Sequence, residues 1–263
     1  MNDDQKQNEK SNLGIPGAII IVGVLIAGAI LLSHKSSAPT AVNTAQAPQP
    51  SISIQPVSPT EHILGDPNAP VVIVEFSDTE CPYCKMFQTT METIMTTYGK
   101  NGTVAWVYRD FPLDIHPLSE KESESLECAT ELGGNTAFWK YESEIYATTT
   151  SNNTLDPAKL PIIAKDAGVN VAAFNTCLAS GKYAATVQAG ITEAESAGAQ
   201  GTPFSIMVLK TPLTPTIENT LNTYIATNGL GQNVMISSDN KDIVLDGALP
   251  LQIVTYLIDT VTK

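Results

Sequence analysis

Basic side chains are scarce: 14 Lys and Arg stand against 27 Asp and Glu, a formal charge of −13. Residues 1–35 hold three acids and three bases, so the imbalance belongs to the chain that follows. An acidic domain repels phosphate backbones and anionic lipid surfaces, which argues against a nucleic-acid partner. Histidine is nearly absent, and His34, His62 and His116 form no pair with metal-ligand spacing. Cysteine is limited to four residues, of which only Cys81 and Cys84 are close together. A zinc site would need a second Cys-x-x-Cys or a histidine pair, and the sequence has neither. Long apolar runs are lacking except for one. Ile15 to Leu32 carries no charge, and residues 13–33 would span about 31 Å as a helix at ~1.5 Å per residue. The alternative, a cleaved signal peptide, should have a shorter apolar core, and the nearest A-x-A pattern, Ala45-Gln46-Ala47, lies too far beyond the run. A membrane anchor is therefore expected, with residues 1–12 as a cytoplasmic tail. All four cysteines follow that span, as suits an oxidising exterior.

What is present is organised around Glu80-Cys81-Pro82-Tyr83-Cys84-Lys85. The strand-like run Pro70 to Phe76 precedes it. A helical pattern follows, with Phe87, Met91, Ile94 and Tyr98 on one face. A cysteine at a helix N-terminus meets unpaired amides and the positive end of the dipole, both of which stabilise a thiolate. The second cysteine lies one turn along, within reach of a small disulfide ring. This is the pattern of a redox pair.

Along the rest of the chain, residues 34–60 read as a tether; from 36 to 60 there is no charge and there are five prolines. The folded domain is expected from Glu61. Thr103–Arg109 reads as a second strand after an Asn101-Gly102 turn, and strand, helix, strand of these lengths is a parallel crossover. Helices are then predicted near 118–132, 136–147, 157–167, 171–180 and 183–197, bounded by caps and glycines. Phe204–Leu209, Val234–Ser237 and Asp242–Leu245 read as strands, and 249–261 as a closing helix.

Several stretches in order resemble the DsbA-like branch of thioredoxin-fold thiol–disulfide oxidoreductases, of the membrane-anchored or secreted bacterial kind. They are residues 64–78 (Leu-Gly-Asp-Pro-Asn-Ala-Pro-Val-Val-Ile-Val-Glu-Phe-Ser-Asp), Cys81 to Lys85, Tyr108 to Leu113 with His116-Pro117, Phe174 to Gly181, Gly201-Thr202-Pro203 and Asp246 to Pro250. The resemblance implies an α/β thioredoxin fold over residues 61–263, with a helical domain inserted at about 117–198. It also implies a cis peptide at Thr202-Pro203 facing the Cys81–Cys84 disulfide, where Thr202 would present its backbone to a substrate strand. Residues 210–232 depart from the family pattern. They form an extra insertion that leaves open whether Phe204–Leu209 or Val234–Ser237 completes the strand order.

The resemblance further implies a dithiol oxidase that needs no cofactor beyond its own disulfide. Its partners would be reduced exported polypeptides and a membrane redox protein that regenerates the pair. A reductase or isomerase on the same fold, and a non-enzymatic metal carrier, are the competing readings. Pro82 and Tyr83 are expected to tune the potential; Glu75 and Lys85 could act as a proton relay and a nearby cation, but a structural role is the commoner one for each. Asp78 and Glu80 are expected to oppose the Cys81 thiolate by like charge. Cys128 and Cys177 could be free thiols, a relay pair or a structural disulfide, and an exterior domain favours the disulfide.

Overall fold

The computed structural model describes residues 52–263. The span expected over 13–33 lies outside them, and among the described residues no helix is long and apolar enough to cross a membrane. In chain order the elements are β1 (His62–Leu64), β2 (Val71–Ser77), α1 (Pro82–Ile94), β3 (Val104–Asp110), α2 (Ser119–Thr148), α3 (Leu160–Asp166), α4 (Val171–Ser180), α5 (Ala184–Ser196), β4 (Phe204–Leu209), α6 (Pro215–Thr227), β5 (Val234–Ile236), β6 (Asp242–Asp246) and α7 (Leu251–Val261). A π-helical turn, Met95–Gly99, prolongs α1.

The strands form one sheet in the order β1-β3-β2-β4-β6-β5. Only β2 and β3 run parallel, joined by the α1 crossover; every other pair is antiparallel. This settles the open strand order. Phe204–Leu209 pairs with β2, and Val234–Ile236 is the far edge.

β2 is buried along its whole length, and strand alternation divides its side chains between the two faces. Val71 and Ile73 meet Phe87, Met91 and Ile94 of α1 and Val254, Leu257 and Ile258 of α7. Val72, Val74 and Phe76 meet Phe111 and Ala194 on the opposite face. The 210–232 insertion is structural: α6 is capped by Thr214 and buries Leu221 and Ile225 in the α1–α7 core, and Tyr224 stacks on Tyr256 at 3.7 Å.

Residues 119–196 form the helical block between β3 and β4, with its own core around Phe138, Tyr141, Ile145 and Phe174. Where separate helices near 118–132 and 136–147 were expected, α2 runs through Gly133-Gly134 and kinks at Gly134, whose φ of 68° needs glycine. A disulfide joins Cys128 of α2 to Cys177 of α4 with Cα atoms 5.9 Å apart.

The tether ends earlier than residue 60. Ile52, Ile54 and Val57 pack on the sheet face opposite α1. Arg109 donates to the Gln55 carbonyl at 3.1 Å while binding Glu61 and Glu193 at 2.9 and 2.7 Å. The alternating apolar residues inside a polar stretch were the overlooked sign.

Candidate active site

Cys81 sits at the N-cap of α1 with extended backbone (φ −77°, ψ 122°), and Pro82 follows at the first helical position, where a missing amide costs nothing. Cys84 lies one turn on and is wholly buried, whereas Cys81 keeps 4% exposure. No disulfide joins the two. Tyr83 and Met86, on the outer side of the same turn, are 59% and 58% exposed and give the site an apolar rim. The Thr202-Pro203 peptide is cis. The Thr202 carbonyl accepts from Cys81 Sγ at 3.3 Å, which draws residues 81 and 202 together from opposite ends of the folded domain.

The environments of the two sulfurs push them apart. The Cys84 thiol, the otherwise unpartnered Thr202 hydroxyl and the backbone amides of Cys84 and Tyr83 all stabilise the Cys81 thiolate. They outweigh burial and bring Cys81 down to about 6. Burial, followed by the Cys81 sulfur and the Glu75 carboxylate, pushes Cys84 well above the ordinary thiol range. One sulfur is poised as the thiolate and the other keeps its proton.

Comparison with known proteins agrees with this geometry. A family model described as "Thioredoxin" matches residues 57–220. The chain belongs to the thioredoxin family. Among solved structures, DsbA2 of Pseudomonas aeruginosa superposes with a TM-score of 0.55 at 20% identity, over 78% of this chain and 96% of that one. Oxidised BdbD of Bacillus subtilis gives 0.55 at 20% identity, over 69% and 99%. These likenesses make the fold the DsbA-like version of thioredoxin. Among curated sequences, the Na(+)/H(+) antiporter NhaA 3 of Salinispora tropica is 31% identical over 150 residues, 56% of this chain and 22% of that protein. The chain thus spans about a fifth of the length of the curated relatives it matches.

Within this thioredoxin-family site, the acids flanking the motif do not face Cys81 as expected. Glu80 is fully buried and turned away: its carboxylate accepts from the Thr149 hydroxyl (3.0 Å) and from the amides of Asn153 (2.8 Å), Thr154 (3.3 Å) and Leu155 (2.9 Å). That loop has left-handed backbone at Ser151, Asn152 and Asn153, and successive amides in such a turn make an anion-binding nest. Asp78 is likewise committed. Its oxygens accept from Glu80 N, Ser119 Oγ and Leu113 N at 2.8, 2.6 and 2.8 Å and lie 2.8 Å from His116 Nδ1. Neither acid is among the main causes of the Cys81 shift. Lys85 also serves structure, donating to the Thr149 carbonyl at 2.5 Å.

Glu75 is different. It is 1% exposed, accepts from Ser77 Oγ (2.7 Å) and Trp106 Nε1 (2.9 Å), and burial raises it to about 7. One residue not singled out from the sequence forms a buried cluster with the two cysteines. Tyr146 packs against both cysteines, with its hydroxyl on Ser77 Oγ and the Asp78 carbonyl at 3.0 and 3.2 Å. Glu142 is fully buried, and one of its oxygens accepts from Gln88 at 2.9 Å. Helical periodicity put Tyr146 on an inward face of α2, but nothing in the sequence brought that face to Cys84.

Proposed function

We propose that this chain is an extracytoplasmic thiol:disulfide oxidoreductase, anchored through residues 13–33 and working as a dithiol oxidase on reduced exported polypeptides. The observation that carries the reading is the Cys81 sulfur at the helix N-cap, held as thiolate by the neighbouring thiol, Thr202 and two backbone amides. Whatever stabilises a thiolate stabilises the reduced pair, and so makes the Cys81–Cys84 disulfide a stronger oxidant.

In the forward step a substrate thiolate attacks Cys81 Sγ and the Cys81–Cys84 bond breaks. The electron pair leaves on Cys84, which takes a proton because its own affinity for one is high. A second substrate thiolate then attacks the substrate sulfur of the mixed disulfide. Its disulfide forms, and Cys81 departs as the stabilised thiolate. Glu75, lying beneath Cys84 with a proton affinity near neutrality, is the acid and base for the buried sulfur. Tyr83, Met86 and the Thr202-Pro203 turn supply the surface on which an extended substrate would rest. The disulfide is the only cofactor this chemistry needs, and a membrane redox partner would restore it. The antiport named for the curated relatives is not carried over, because the match covers about a fifth of those proteins.

Equilibration with glutathione buffers of known ratio tests the direction. An oxidase should poise towards about −120 mV, and a value near about −270 mV would make the protein a reductase instead.

A further inference from the structure

Asp78 follows the last residue of β2 and lies three residues before Cys81, wholly enclosed. It closes a turn on itself: its Oδ1 accepts from the Glu80 amide at 2.8 Å, and its carbonyl accepts from the Cys81 amide at 3.1 Å. A side-chain turn laid over a backbone turn leaves residues 78–81 little freedom. The carboxylate is also gripped from a second part of the fold. Leu113 N, Ser119 Oγ and His116 Nδ1 lie 2.8, 2.6 and 2.8 Å from it, on the connection after β3 and the first turn of α2. What remains of Asp78 is its own amide, which donates to Cys84 Sγ at 3.4 Å. Among the described residues it is the one backbone amide bonded to that sulfur. The sulfur needs such a donor. Cys84 is wholly buried, and the titratable groups that face it are Glu75 of β2, Tyr108 of β3, Tyr146 of α2 and Cys81 beside it. All of these are acids, so their charges oppose a thiolate there, as burial does.

We infer that Asp78 is a positioning residue for thiol exchange: its clamped carboxylate holds its own backbone N–H against Cys84 Sγ, where the amide dipole meets the charge that forms on the buried sulfur. The inference deepens the proposed function and rests on Cys81 being the sulfur that substrates meet. In the forward step the substrate thiolate bonds to Cys81 Sγ and the Cys81–Cys84 bond breaks. The electron pair arrives on Cys84 Sγ opposite the Asp78 amide, before a proton from Glu75 neutralises it. In the reverse step Cys84 gives that proton back, and its thiolate, held by the same amide, attacks Cys81 Sγ. The Cys81–Cys84 bond forms, the bond to the substrate sulfur breaks, and the pair leaves on that sulfur. One donor thus serves a leaving group and a nucleophile in turn.

The test mixes the full-length reduced chain with excess dithiobis(nitrobenzoate) and follows the coloured thiolate by stopped flow. A first phase caps Cys81, and a second reports Cys84 closing the ring. Malate in place of Asp78, introduced at a reassigned stop codon, keeps the carboxylate and the carbonyl but exchanges the N–H for an ester oxygen. Losing a hydrogen bond to charge makes the Cys84 thiolate scarcer, while its nucleophilicity rises about half as steeply. The second phase should therefore slow roughly three- to tenfold at neutral pH, with its pH inflection moved to the alkaline side. The deficit should close once the medium ionises Cys84 unaided, and the first phase should keep its native rate. Asp78→Asn, which sets a donor opposite Leu113 N, should loosen the clamp and slow the second phase with the same pH dependence. If that variant does not fold, the malate chain decides alone. A native second phase in the malate chain, or a deficit equal at every pH, would reduce Asp78 to a residue that merely shapes the turn. Both of those outcomes leave Cys81 as the nucleophile. If native Cys81 takes up no aromatic thiol, the nucleophile assignment fails, and the positioning role fails with it.

Discussion

Glu80 stands next to the proposed nucleophile in sequence, yet its work is to hold a loop. Four donors, three of them backbone amides of residues 153–155, converge on its fully buried carboxylate. Glu80→Gln would replace an acceptor-only group by one with two donors aimed at other donors. It should lower stability by about 1–3 kcal/mol, the cost of an unsatisfied buried group. Titration of thiolate absorbance near 240 nm should find the Cys81 transition unmoved. A shifted transition would restore the electrostatic role that adjacency suggested. The pair Cys81 and Cys84 was legible from spacing alone, because a helix start after a buried strand leaves few other uses for it. Ser77 was not, although alternation from Glu75 would have put it on the same face; a lone serine in a strand carries no chemical signal. The partner of Glu80 was illegible too, since its loop lies some 70 residues further on and a nest is a backbone shape.

Among the elements, the helical block depends on how α2 and α4 are joined. Cys128–Cys177 closes a loop of 49 residues between them, a restraint worth roughly 2–4 kcal/mol through the unfolded chain. Both sulfurs lie in the block's own core, apart from the cluster of Cys81, Cys84 and Tyr146. The double Cys128→Ala, Cys177→Ala variant should therefore melt lower while exchanging thiols and disulfides with a model substrate at close to the native rate. Loss of turnover with unchanged melting would make the pair a redox relay. Helix ends were readable where local chemistry fixes them: the Asn170 side chain accepts from Ala173 N, and Gly181 closes α4 in the left-handed conformation. The three-residue strand β1 gave no pattern to read, and it exists because the edge of β3 needs a partner. Strand order was likewise beyond local reading. Pairing between β2 and β4 bridges about 130 residues and is set by which faces find each other.

At the scale of the molecule, the interior holds protons that the formal charge of −13 counts as lost. Burial raises Glu75 to about 7 and Glu122 to about 8, and it pushes Glu142 and Asp110 well above the carboxylate range. Each of these acids binds its proton more tightly folded than unfolded. Their contribution to stability is therefore complete below about pH 4.5 and is lost as pH rises through 7 and 8. For Glu75 alone the difference reaches about 3 kcal/mol at most. Denaturant unfolding of the disulfide form should give a more stable protein at pH 5 than at pH 8.5, and Glu75→Gln should flatten part of that slope. A stability that climbs over this interval would contradict the buried acids. Composition made the acidity plain, but not which acids face inward, because that follows from packing rather than count.

One consequence of the β2 register concerns heredity more than energy. The sheet assigns odd-numbered positions 71 to 77 to one side and even-numbered ones to the other, so the redox centre is tied to a parity. Losing one codon between Val72 and Val74 would leave the strand as apolar as before. Yet it would send the Glu75 carboxyl and the Ser77 hydroxyl to the wrong side, among Phe111 and Ala194, and bring phenylalanine up beneath the sulfur. Substitutions can drift through this strand, but its length can change only in steps of two.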